Sequence, residues 1–431
     1  MNTLKVLLVR PHTVIKNEKV DAPLGLAILG AIAQDLGHAV SIIDLNFEQL
    51  PSDKNVFDVV GVTGVSRQKE EIMTVARQFP HATVVVGGCW ATYSAEEVLQ
   101  EKSITYVCVG EGELWWKQFL LNYPKAPLSE RLPLKDLDAV PFPAWNLVPN
   151  LPRYGRLSIW TSRGCPFMCN FCSVHNYFSR DWRCRSPASV VQEIKRDVAL
   201  FKVKHFIIVD DNPTLDPVRF QEICEGISGL GIKLRFDADA GLRVDRLPDS
   251  LLYAMKHAGF RRIQINPESG VQRVLTEVIH KNLDISKLFH VAEYARSIGL
   301  DVDACFIIGF PKETMEEVKV TIETAHQLRK LGCNAYVGNA VPNPKTSLYE
   351  ESKREGYLRF GDEELAKLNA FGDKERTIHC LSSPFWKPED IIQLHLAECK
   401  TDRRSSVKRL AFTRRGLKKL LREPMSIWRY L

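Results

Sequence analysis

Short continuous hydrophobic runs alternate with helical patterns over the first 125 residues of the chain. Five of these runs have the composition of buried strands: LKVLLVR, AVSIIDL, DVVGVTGV, ATVVVGG and ITYVCVG. Between the first two lies GLAILGAIAQDL, which has the pattern of a helix and ends before Gly37. Continuous β-branched runs that alternate with helices are typical of a parallel sheet covered on both faces. We therefore predict an α/β fold that begins with an open, doubly wound domain over residues 1–125, with ligands at the carboxyl ends of its strands.

A second alternating series begins at Leu157, after a proline-rich linker predicted over residues 126–156. Its six hydrophobic runs are LSIWTS, HFIIVDD, LRFDADA, RIQINPES, DVDACFIIG and NAYVGNAV. Six βα units, rather than eight, predict a partial TIM barrel over residues 157–350. Polar residues follow each strand, where barrel active sites collect. Residues 351–431 are expected to form a small C-terminal region with a basic tail.

Composition and charge narrow the class of protein. The chain has 431 residues, of which 45% are hydrophobic and 26% are charged, enough for a sizeable core. The net charge is +6, but residues 400–431 alone carry eleven Lys or Arg and two acidic residues, which is +9 and leaves −3 for the rest. The basic character therefore belongs to the tail, and the body of the protein is not expected to bind nucleic acid.

The N-terminal stretch MNTLKVLLVRPH has no secretory signal pattern, and no apolar run reaches the roughly 20 residues of a spanning helix. We expect a cytoplasmic protein. Its eleven cysteines then favour metal or catalytic roles over disulfides.

Three of the cysteines lie within eight residues in RGCPFMCNFCSVH, with the spacing C-x3-C-x2-C. The alternatives are an inert loop, a zinc site and an iron–sulfur cluster. Structural zinc prefers a closed set of four ligands built from separated cysteine pairs. A 4Fe–4S cluster is normally held by four thiolates. A triplet on one loop leaves one iron without a protein ligand, and that iron is open to a substrate or cofactor.

This triplet, placed directly after the first strand of a partial barrel, resembles the signature of radical SAM enzymes. The resemblance implies that Cys165, Cys169 and Cys172 hold a 4Fe–4S cluster whose open iron binds S-adenosyl-L-methionine (SAM). It also implies reductive cleavage of SAM to a 5′-deoxyadenosyl radical, with electrons from an external donor such as flavodoxin or ferredoxin.

Further motifs of the barrel resemble the same family. They are the aromatic residue before the third cysteine, VDDNPTLD, GLRVDRL, INPESG and FIIGFPKET. The resemblance implies SAM contacts from Phe171, Asp210, Asp211, Arg243, Glu268 and Ile308. At the fourth strand, Pro267 departs from the usual family pattern and removes a backbone donor beside Glu268.

The N-terminal pattern APLGLAILGAIAQDLGHAVSIID, followed by VTGVSRQ, VVVGGCWATYS and VGEGE, resembles the cobalamin-binding domain fused to one class of radical SAM enzymes. The resemblance implies a Rossmann-like domain with cobalamin contacts from Gly25, Thr63, Ser66, Gly87, Gly88, Gly110 and Glu111, within a Gly110–Glu113 turn.

The Asp-x-His-x-x-Gly element that supplies a histidine to cobalt in some cobalamin domains is absent from the sequence. His12 follows the first strand without the required neighbours and is interpreted as a loop histidine. We therefore expect no protein histidine on the cobalt. Arg67 and Gln68, after the third strand, are candidates to face it.

The predicted function is methylation of an unactivated carbon in a small-molecule or lipid-like substrate. Cyclisation or rearrangement without methylation stays open, and the sequence does not identify the substrate. A methylthiotransferase needs a second cysteine triplet in its N-terminal domain, but only Cys89 and Cys108 precede Cys165. An iron–sulfur electron-transfer protein would need four thiolates and none of the SAM motifs.

The tail SSVKRLAFTRRGLKKLLREPMSIWRYL has an amphipathic, basic pattern that ends with Trp428 and Tyr430. One interpretation is peripheral contact with an anionic membrane, because such residues favour a lipid–water boundary. The other is a helix packed on the barrel with a solvated charged face.

Overall fold

The structure is a computed structural model that describes residues 3–13, 20–125, 133–361, 364–365 and 379–399. The predicted basic tail over residues 400–431 lies outside the described residues, as do residues 126–132 of the predicted linker. The chain divides into two compact units. The first contains the residues up to Pro166 together with 173–240 and 250–262, and the second contains 167–172, 241–249 and the residues from Ile263 onward.

A five-stranded sheet lies in the first unit, in the order β2-β1-β3-β4-β5, and all of its pairs are parallel. Its strands are β1 Lys5–Arg10, β2 Ala39–Asp44, β3 Val59–Thr63, β4 Thr83–Gly87 and β5 Tyr106–Val107. The inner strands are buried along most of their length, as expected when helices cover both faces. The predicted doubly wound α/β domain is therefore confirmed.

A six-stranded sheet follows, in the order β13-β12-β11-β10-β9-β6, so that its strands lie side by side in chain order. These strands are β6 Leu157–Ile159, β9 His205–Ile208, β10 Arg235–Leu242, β11 Phe260–Glu268, β12 Asp301–Ile308 and β13 Asn334–Asn339. A small antiparallel pair, β7 Ser162–Arg163 and β8 Arg183–Cys184, flanks the cysteine triplet. All six predicted barrel strands are present. The limits predicted for the domains stay predictions.

Helices alternate with these strands. Their bounds are α1 Leu24–Asp35, α2 Lys69–Arg77, α3 Gly88–Tyr93, α4 Ala95–Leu99, α5 Gly112–Asn122, α6 Val174–Tyr177, α7 Pro187–Phe201, α8 Pro217–Gly229, α9 Asp249–Ala258, α10 Leu288–Ser297, α11 Met315–Lys330 and α12 Ser347–Arg354. A further helical segment covers residues 388–399. Among the described residues, no helix is both long and apolar enough to cross a membrane.

Local sequence determines where the longer barrel helices begin. Ser186 and Asp216 each cap a helix whose first residue is proline, which suits that position because it has no N–H to satisfy. Thr314 and Glu317 form a reciprocal capping box, with the Glu317 N–H donating to Thr314 Oγ1 and the Thr314 N–H donating to Glu317 Oε2. These caps fix the turns that they close. The predicted site residues Asp210 and Asp211 lie on the turn that Asp216 closes.

Candidate functional site

We call residues 165–172, from the first to the third cysteine of the triplet, the cysteine loop. In the first unit, Gly164 precedes it with φ +82°, and a Cβ there would lie 2.5 Å from the Asp181 carbonyl oxygen. Only glycine fits this turn without a shift of backbone. The Asn212 side-chain amide lies 3.8 Å from Cys165 Sγ. An amide donor beside this sulfur favours a thiolate over a thiol.

The other two cysteines belong to the second unit. The Cys172 N–H donates to the Cys169 carbonyl oxygen at 3.2 Å. Between them, Asn170 donates from its backbone N–H to the Ile279 carbonyl at 3.0 Å and from its side chain to the Val278 carbonyl at 2.8 Å. This part of the loop is therefore held by the chain that follows β11.

None of the three cysteines is part of a disulfide, and all three are half-buried. The described part of the chain contains no group of three or more His, Cys, Asp or Glu side chains already gathered as a metal site. The fit to a cluster therefore rests on the donor chemistry: three cysteine thiols outside disulfides on one loop, with an amide donor at the first sulfur. A 4Fe–4S cluster on Cys165, Cys169 and Cys172 stays a prediction of the sequence.

Two neighbouring aspartates at the end of β9 have different surroundings. Asp210 is buried and accepts three hydrogen bonds of 2.6 Å, from the Thr161 N–H, the Thr161 hydroxyl and the Ser162 hydroxyl. Asp211 is half-buried and accepts only a 3.3 Å bond from the Gly164 N–H. Burial, followed by repulsion from Asp210, raises the pKa of Asp211 to about 6. Asp210 therefore supports the chain between β6 and β7, and Asp211 is the better candidate for a SAM contact.

Arg243 is buried in the second unit, and its guanidinium is engaged within the protein. It pairs with Asp245 at 2.8 Å, donates to the backbone carbonyls of Lys281 and Asn282 at 2.9 Å, and lies 3.5 Å from the centre of the Phe167 ring. Because these partners occupy most of its N–H groups, the Arg243 guanidinium has few donors left for the predicted contact with SAM. The stacked Phe167 belongs to the cysteine loop, so the arginine instead supports that loop.

Glu268 is buried at the end of β11 and accepts a hydrogen bond from Lys281 at 2.8 Å. Burial raises the pKa of Glu268, and the ammonium of Lys281 opposes this rise. The backbone of Glu268 is left-handed, with φ +66°, directly after Pro267. A non-glycine residue held in this conformation is a feature typical of functional sites. The sequence analysis did not single out Lys281.

The predicted adenine contacts are only partly as expected. The Phe171 ring packs on Phe310, in the turn after β12, with centroids 5.8 Å apart. Ile308, however, is fully buried, on the face of β12 that carries Phe306. Ile307 is half-buried on the opposite face, because successive strand residues point to opposite sides. Ile307 therefore has the more accessible of the two side chains, and a SAM contact from Ile308 stays a prediction of the sequence.

A cavity of about 220 Å³ lies within the first unit, at the carboxyl ends of β1, β3 and β4. Six of the seven residues predicted to contact cobalamin line it: Gly25, Thr63, Gly87, Gly88, Gly110 and Glu111. The seventh, Ser66, is exposed and is not among the lining residues. The space is roughly seven times the 30 Å³ that liquid water occupies per molecule, so it admits one part of a large cofactor.

Two buried polar atoms in the cavity wall have no hydrogen-bond partner among the described residues: Glu113 Oε2 and Trp115 Nε1. An unpaired buried polar group is costly unless a ligand or water satisfies it. The wall thus offers one acceptor and one donor to an occupant. At Gly25 a Cβ would meet nothing within 4 Å, so the wall is open there. These features fit a bound corrinoid substituent.

A buried ion-pair network joins this cavity to the chain that precedes the cysteine loop. Arg163 pairs with Glu111 at 3.2 Å and with Glu113 at 2.6 Å, and Arg183 pairs with Glu111 at 2.7 Å. Glu111 also accepts from the Leu134 N–H at 3.1 Å, so its carboxylate is occupied by the protein. Burial alone would raise the pKa of Glu113, but Arg163 outweighs it and holds the pKa below its usual value.

The three residues considered for contact with the cobalt have different surroundings. His12 is exposed and pairs with Glu71, in agreement with a loop histidine. Gln68 accepts from the Val65 N–H at 2.9 Å and donates to the His12 carbonyl at 2.6 Å, so its amide braces the loop. Arg67 is exposed. Because the Gln68 amide is engaged within the loop, Arg67 is the better of the two candidates to face the cobalt.

Several cavity residues were not identified from the sequence. They are Trp115, Trp116, Arg163, Tyr177 and Phe178. The tryptophans follow the predicted Gly110–Glu113 turn, so their position just after a strand end was an available signal. Arg163, Tyr177 and Phe178 come from either side of the cysteine loop, and no local pattern connects them with a sheet whose last strand ends at Val107.

Comparison with known proteins identifies both parts of the chain. The family model of the Radical SAM superfamily matches residues 160–325, and that of the B12 binding domain matches residues 14–119. An uncharacterized methyltransferase of Pyrococcus horikoshii is 30% identical over 395 residues, which cover 81% of this chain and 83% of that protein.

A cytidylyl-2-hydroxyethylphosphonate methyltransferase of Streptomyces wedmorensis is 25% identical, over 85% of this chain and 88% of that protein. Among solved structures, the radical S-adenosylmethionine methyltransferase TsrM from Kitasatospora setae, with cobalamin and a [4Fe-4S] cluster bound, aligns with a TM-score of 0.67 at 18% identity. This alignment covers 84% of this chain and 80% of TsrM. At 18% identity, this structural similarity is evidence for the fold alone.

Proposed function

We propose that this chain, which belongs to the family of cobalamin-dependent radical SAM enzymes, methylates an unactivated carbon of a small-molecule or lipid-like substrate. The observation that carries the proposal is the position of the cavity. Arg163, before the cysteine loop, and Tyr177 and Phe178, after it, all line the cavity whose remaining wall comes from the B12-binding region. A site for a methyl carrier thus adjoins the ends of the loop that would hold a cluster. Relatives that span more than four fifths of the chain are named methyltransferases, which supports the same proposal.

Within this proposal, Cys165, Cys169 and Cys172 hold the 4Fe–4S cluster. When bound, the cluster and SAM supply a radical that activates carbon, and cobalamin supplies a transferable methyl group. Asn212 donates toward the first sulfur, and Arg243 supports the loop through its stack on Phe167. The protein's part is to hold these groups in place and to exclude water.

The SAM contacts proposed here differ in part from those expected from sequence. Asp211, rather than the engaged Asp210, binds the amino group of SAM. Glu268 and Lys281 form a buried pair that presents a polar edge at the end of β11, and Ile307 offers the apolar surface at the end of β12. Phe171 contributes its ring from the cysteine loop.

The cavity takes one substituent of cobalamin, with Glu113 Oε2 and Trp115 Nε1 as its polar contacts. No protein histidine binds the cobalt in this proposal, because His12 is paired with Glu71 and the Asp-x-His-x-x-Gly element is absent. Thr63, Gly87 and Gly88 shape the cavity wall.

A second candidate reaction is cyclisation without methyl transfer. The anaerobic magnesium-protoporphyrin IX monomethyl ester cyclase of Cereibacter sphaeroides is 28% identical over 333 residues, which cover 68% of this chain and 53% of that protein. Methylation is favoured because the relatives named methyltransferases match more of both chains.

The test is anaerobic incubation of reconstituted protein with SAM, hydroxocobalamin, a low-potential reductant and fractions of candidate small molecules. S-adenosylhomocysteine and 5′-deoxyadenosine together, with a substrate mass gain of one methylene, indicate methylation. 5′-Deoxyadenosine without S-adenosylhomocysteine would contradict methylation and support the cyclase alternative. The triple Cys165, Cys169 and Cys172→Ala variant is the control and should yield neither product.

The electron donor and a membrane contact belong to this proposal as well. Flavodoxin or ferredoxin delivers the electron, and the basic tail attaches weakly to anionic lipid. Each basic residue near an anionic surface contributes on the order of 1 kcal/mol. Flotation should recover the full chain with anionic vesicles at low salt, but a chain that ends at Lys400 should stay behind. Equal behaviour of the two chains would leave the tail as a packing element.

A further inference from the structure

Both ends of the cysteine loop are tied to the wall of the cavity, all within the first unit. Arg163 lies two residues before Cys165 and pairs with Glu111 and Glu113. Ser173 follows Cys172 directly, and its carbonyl accepts a 3.0 Å hydrogen bond from the Tyr93 hydroxyl. The loop therefore starts and ends at groups held by the B12-binding region.

These ties reach parts of the chain that themselves shape the cavity. Tyr93 is the last residue of α3, the helix that begins at the cavity-lining Gly88. Glu113 lines the cavity, and its two carboxylate oxygens differ in their surroundings. Oε1 accepts a hydrogen bond from Arg163 at 2.6 Å, whereas Oε2 is buried without a hydrogen-bond partner among the described residues. A donor on a cavity occupant would meet the same carboxylate that orients Arg163.

The arginine has little freedom of its own. Its side chain is 12% exposed, and its guanidinium lies 4.3 Å from the centre of the Trp160 ring and 5.5 Å from that of Phe178. A buried charge is stable only when its ion-pair partners are in place. Any disorder at Glu113 would therefore also disturb Arg163 and the cysteine loop that follows it. The reverse also holds, because a loosened loop releases the arginine.

We infer that occupancy of the cavity by the corrinoid and occupancy of the cysteine loop by its cluster stabilise each other, with Arg163 and Tyr93 as the positioning residues. This inference rests on the proposed function for the identity of the two ligands, and goes beyond it by assigning a coupling between their sites. Coupling between two binding sites is reciprocal, so each ligand must change the affinity of the other by the same factor.

The experiment measures the dissociation constant of hydroxocobalamin anaerobically, for cluster-loaded protein and for protein stripped of iron. The expected ratio of the two constants is at least about fivefold in favour of the loaded protein, the lower end of typical coupling. In the reverse direction, hydroxocobalamin should slow the loss of iron to a ferrous chelator.

Two variants test the positioning residues. Tyr93→Phe removes only the hydroxyl, and Arg163→Lys keeps the charge but loses the fork that reaches two carboxylates. Both should lower the coupling ratio toward one. Tyr93 does not line the cavity, so Tyr93→Phe should still bind hydroxocobalamin and assemble four irons. Arg163→Lys alters the cavity wall itself, so its effect is judged only from the ratio of its own two dissociation constants. The matched control is Tyr106→Phe, because the Tyr106 hydroxyl also donates to a backbone carbonyl, that of Pro124, at 2.9 Å. The control should keep the wild-type ratio.

A ratio of one in the wild-type protein would overturn the coupling. A ratio that is unchanged in Tyr93→Phe and Arg163→Lys would overturn the role of these residues. If Arg163→Lys fails to fold, Tyr93→Phe still decides the outcome. A protein that methylates its substrate without coupling would disprove this inference alone, and a coupled protein that does not methylate would disprove the proposed function alone.

Discussion

The surroundings of single carboxylates distinguish support from ligand binding in this protein. Asp210 accepts three short hydrogen bonds from Thr161 and Ser162, whereas its neighbour Asp211 accepts one long bond and is half-buried. The same contrast separates Glu111, whose oxygens are occupied by two arginines, from Glu113, which keeps one oxygen at the cavity wall. A carboxylate at a strand end thus indicates a possible site, but its hydrogen-bond partners decide whether it supports the fold or binds a ligand.

SAM binding is predicted to weaken in acid because of Asp211. Its pKa is raised to about 6, so the carboxylate is charged above pH 6 and increasingly neutral below it. A neutral carboxyl attracts the SAM ammonium less, and the dissociation constant of SAM should rise as the pH falls from 7.5 to 5.5. Asp211→Asn should weaken binding about tenfold or more at pH 7.5 and remove the pH dependence, since a charge-assisted bond contributes roughly 1.5–3 kcal/mol.

Equilibrium dialysis with cluster-loaded protein measures this effect. Asp301→Asn, at an exposed aspartate of the same barrel, is the control and should behave as wild type. A wild-type pH dependence that persists in Asp211→Asn would assign the titrating group elsewhere.

Glu313 is predicted to make the protein less stable in alkali. Its Oε2 accepts from the N–H groups of Gly309 and Phe310, but burial raises its pKa to about 8. The native state then holds a proton between about pH 4.5 and 8 that the unfolded chain has lost, so the free energy of unfolding falls as pH rises through that window.

Glu313→Gln should remove this loss, so that the variant is more stable than wild type at pH 9 by about 1 kcal/mol or more. Denaturant unfolding at pH 5 and pH 9 gives the comparison. The control is Glu316→Gln, since Glu316 lies in the first turn of the helix that follows Glu313, with 82% of its side chain exposed. Equal pH dependence in Glu313→Gln and wild type would contradict the prediction.

At the scale of elements, strand-to-helix turns place the candidate groups. The ends of β3 and β4, the turn after β5 and the beginnings of α1, α3 and α5 form most of the cavity wall. Gly88 shows why this wall tolerates little change: it has φ +89°, and a Cβ there would lie 2.6 Å from Thr63 Oγ1. Gly25 is the contrasting case, since a side chain at that position would enter open space.

Gly25→Leu is predicted to block the cavity without disturbing the fold. A Cβ at this position meets no atom within 4 Å, and leucine favours a helix over glycine by up to about 1 kcal/mol. The variant should fold as stably as wild type and bind hydroxocobalamin at least about tenfold more weakly, as measured by absorbance titration. Gly229→Leu is the matched control, because Gly229 is also helical with open space at its Cβ. Wild-type affinity in Gly25→Leu would show that the corrinoid does not use this cavity.

At the scale of the whole molecule, the chain combines a doubly wound domain with a partial barrel. Cobalamin is the ligand proposed for the first and the 4Fe–4S cluster the ligand proposed for the second. Both family models match, and the structural neighbour with a TM-score of 0.67 covers 84% of the chain, so the combination extends over most of its length. The three cysteines that are predicted to hold the cluster lie on one loop of the barrel, and the cavity lies at the ends of strands in the first sheet.

Cys169→Ala is predicted to abolish the cluster, because a 4Fe–4S cube on three thiolates cannot lose one of them and keep its normal content. The brown absorbance, the iron content and SAM cleavage should all fall to background. Cys224→Ala, at a buried cysteine far from the loop in sequence, should retain about four irons. Four irons in the triple variant of the loop cysteines would refute the ligand assignment.

The bound corrinoid is predicted to have no protein nitrogen on its cobalt. His12 is exposed and pairs with Glu71, and the chain lacks the Asp-x-His-x-x-Gly element. The electron paramagnetic resonance spectrum of the cob(II)alamin form should therefore show no nitrogen superhyperfine splitting. A nitrogen triplet in the wild-type spectrum would contradict the prediction, and its loss in His12→Ala would identify His12 as the ligand.

The sequence by itself determined the order and type of the eleven strands of both sheets and the position of the cysteine loop. This was possible because continuous apolar runs, glycine stops and a C-x3-C-x2-C spacing are local properties of the chain. It also marked six cavity residues, since each follows a strand or starts a helix in a parallel sheet.

Only the tertiary structure decided which of these residues are already engaged and what completes the cavity. Asp210 is occupied by Thr161, 49 residues away, Glu111 by Arg163, 52 residues away, and Ser173 by Tyr93, 80 residues away. The difference in burial between Ile307 and Ile308 likewise depends on which face of β12 is covered. Hydrogen bonds and burial between segments so distant in the chain follow from packing, and no local pattern encodes them.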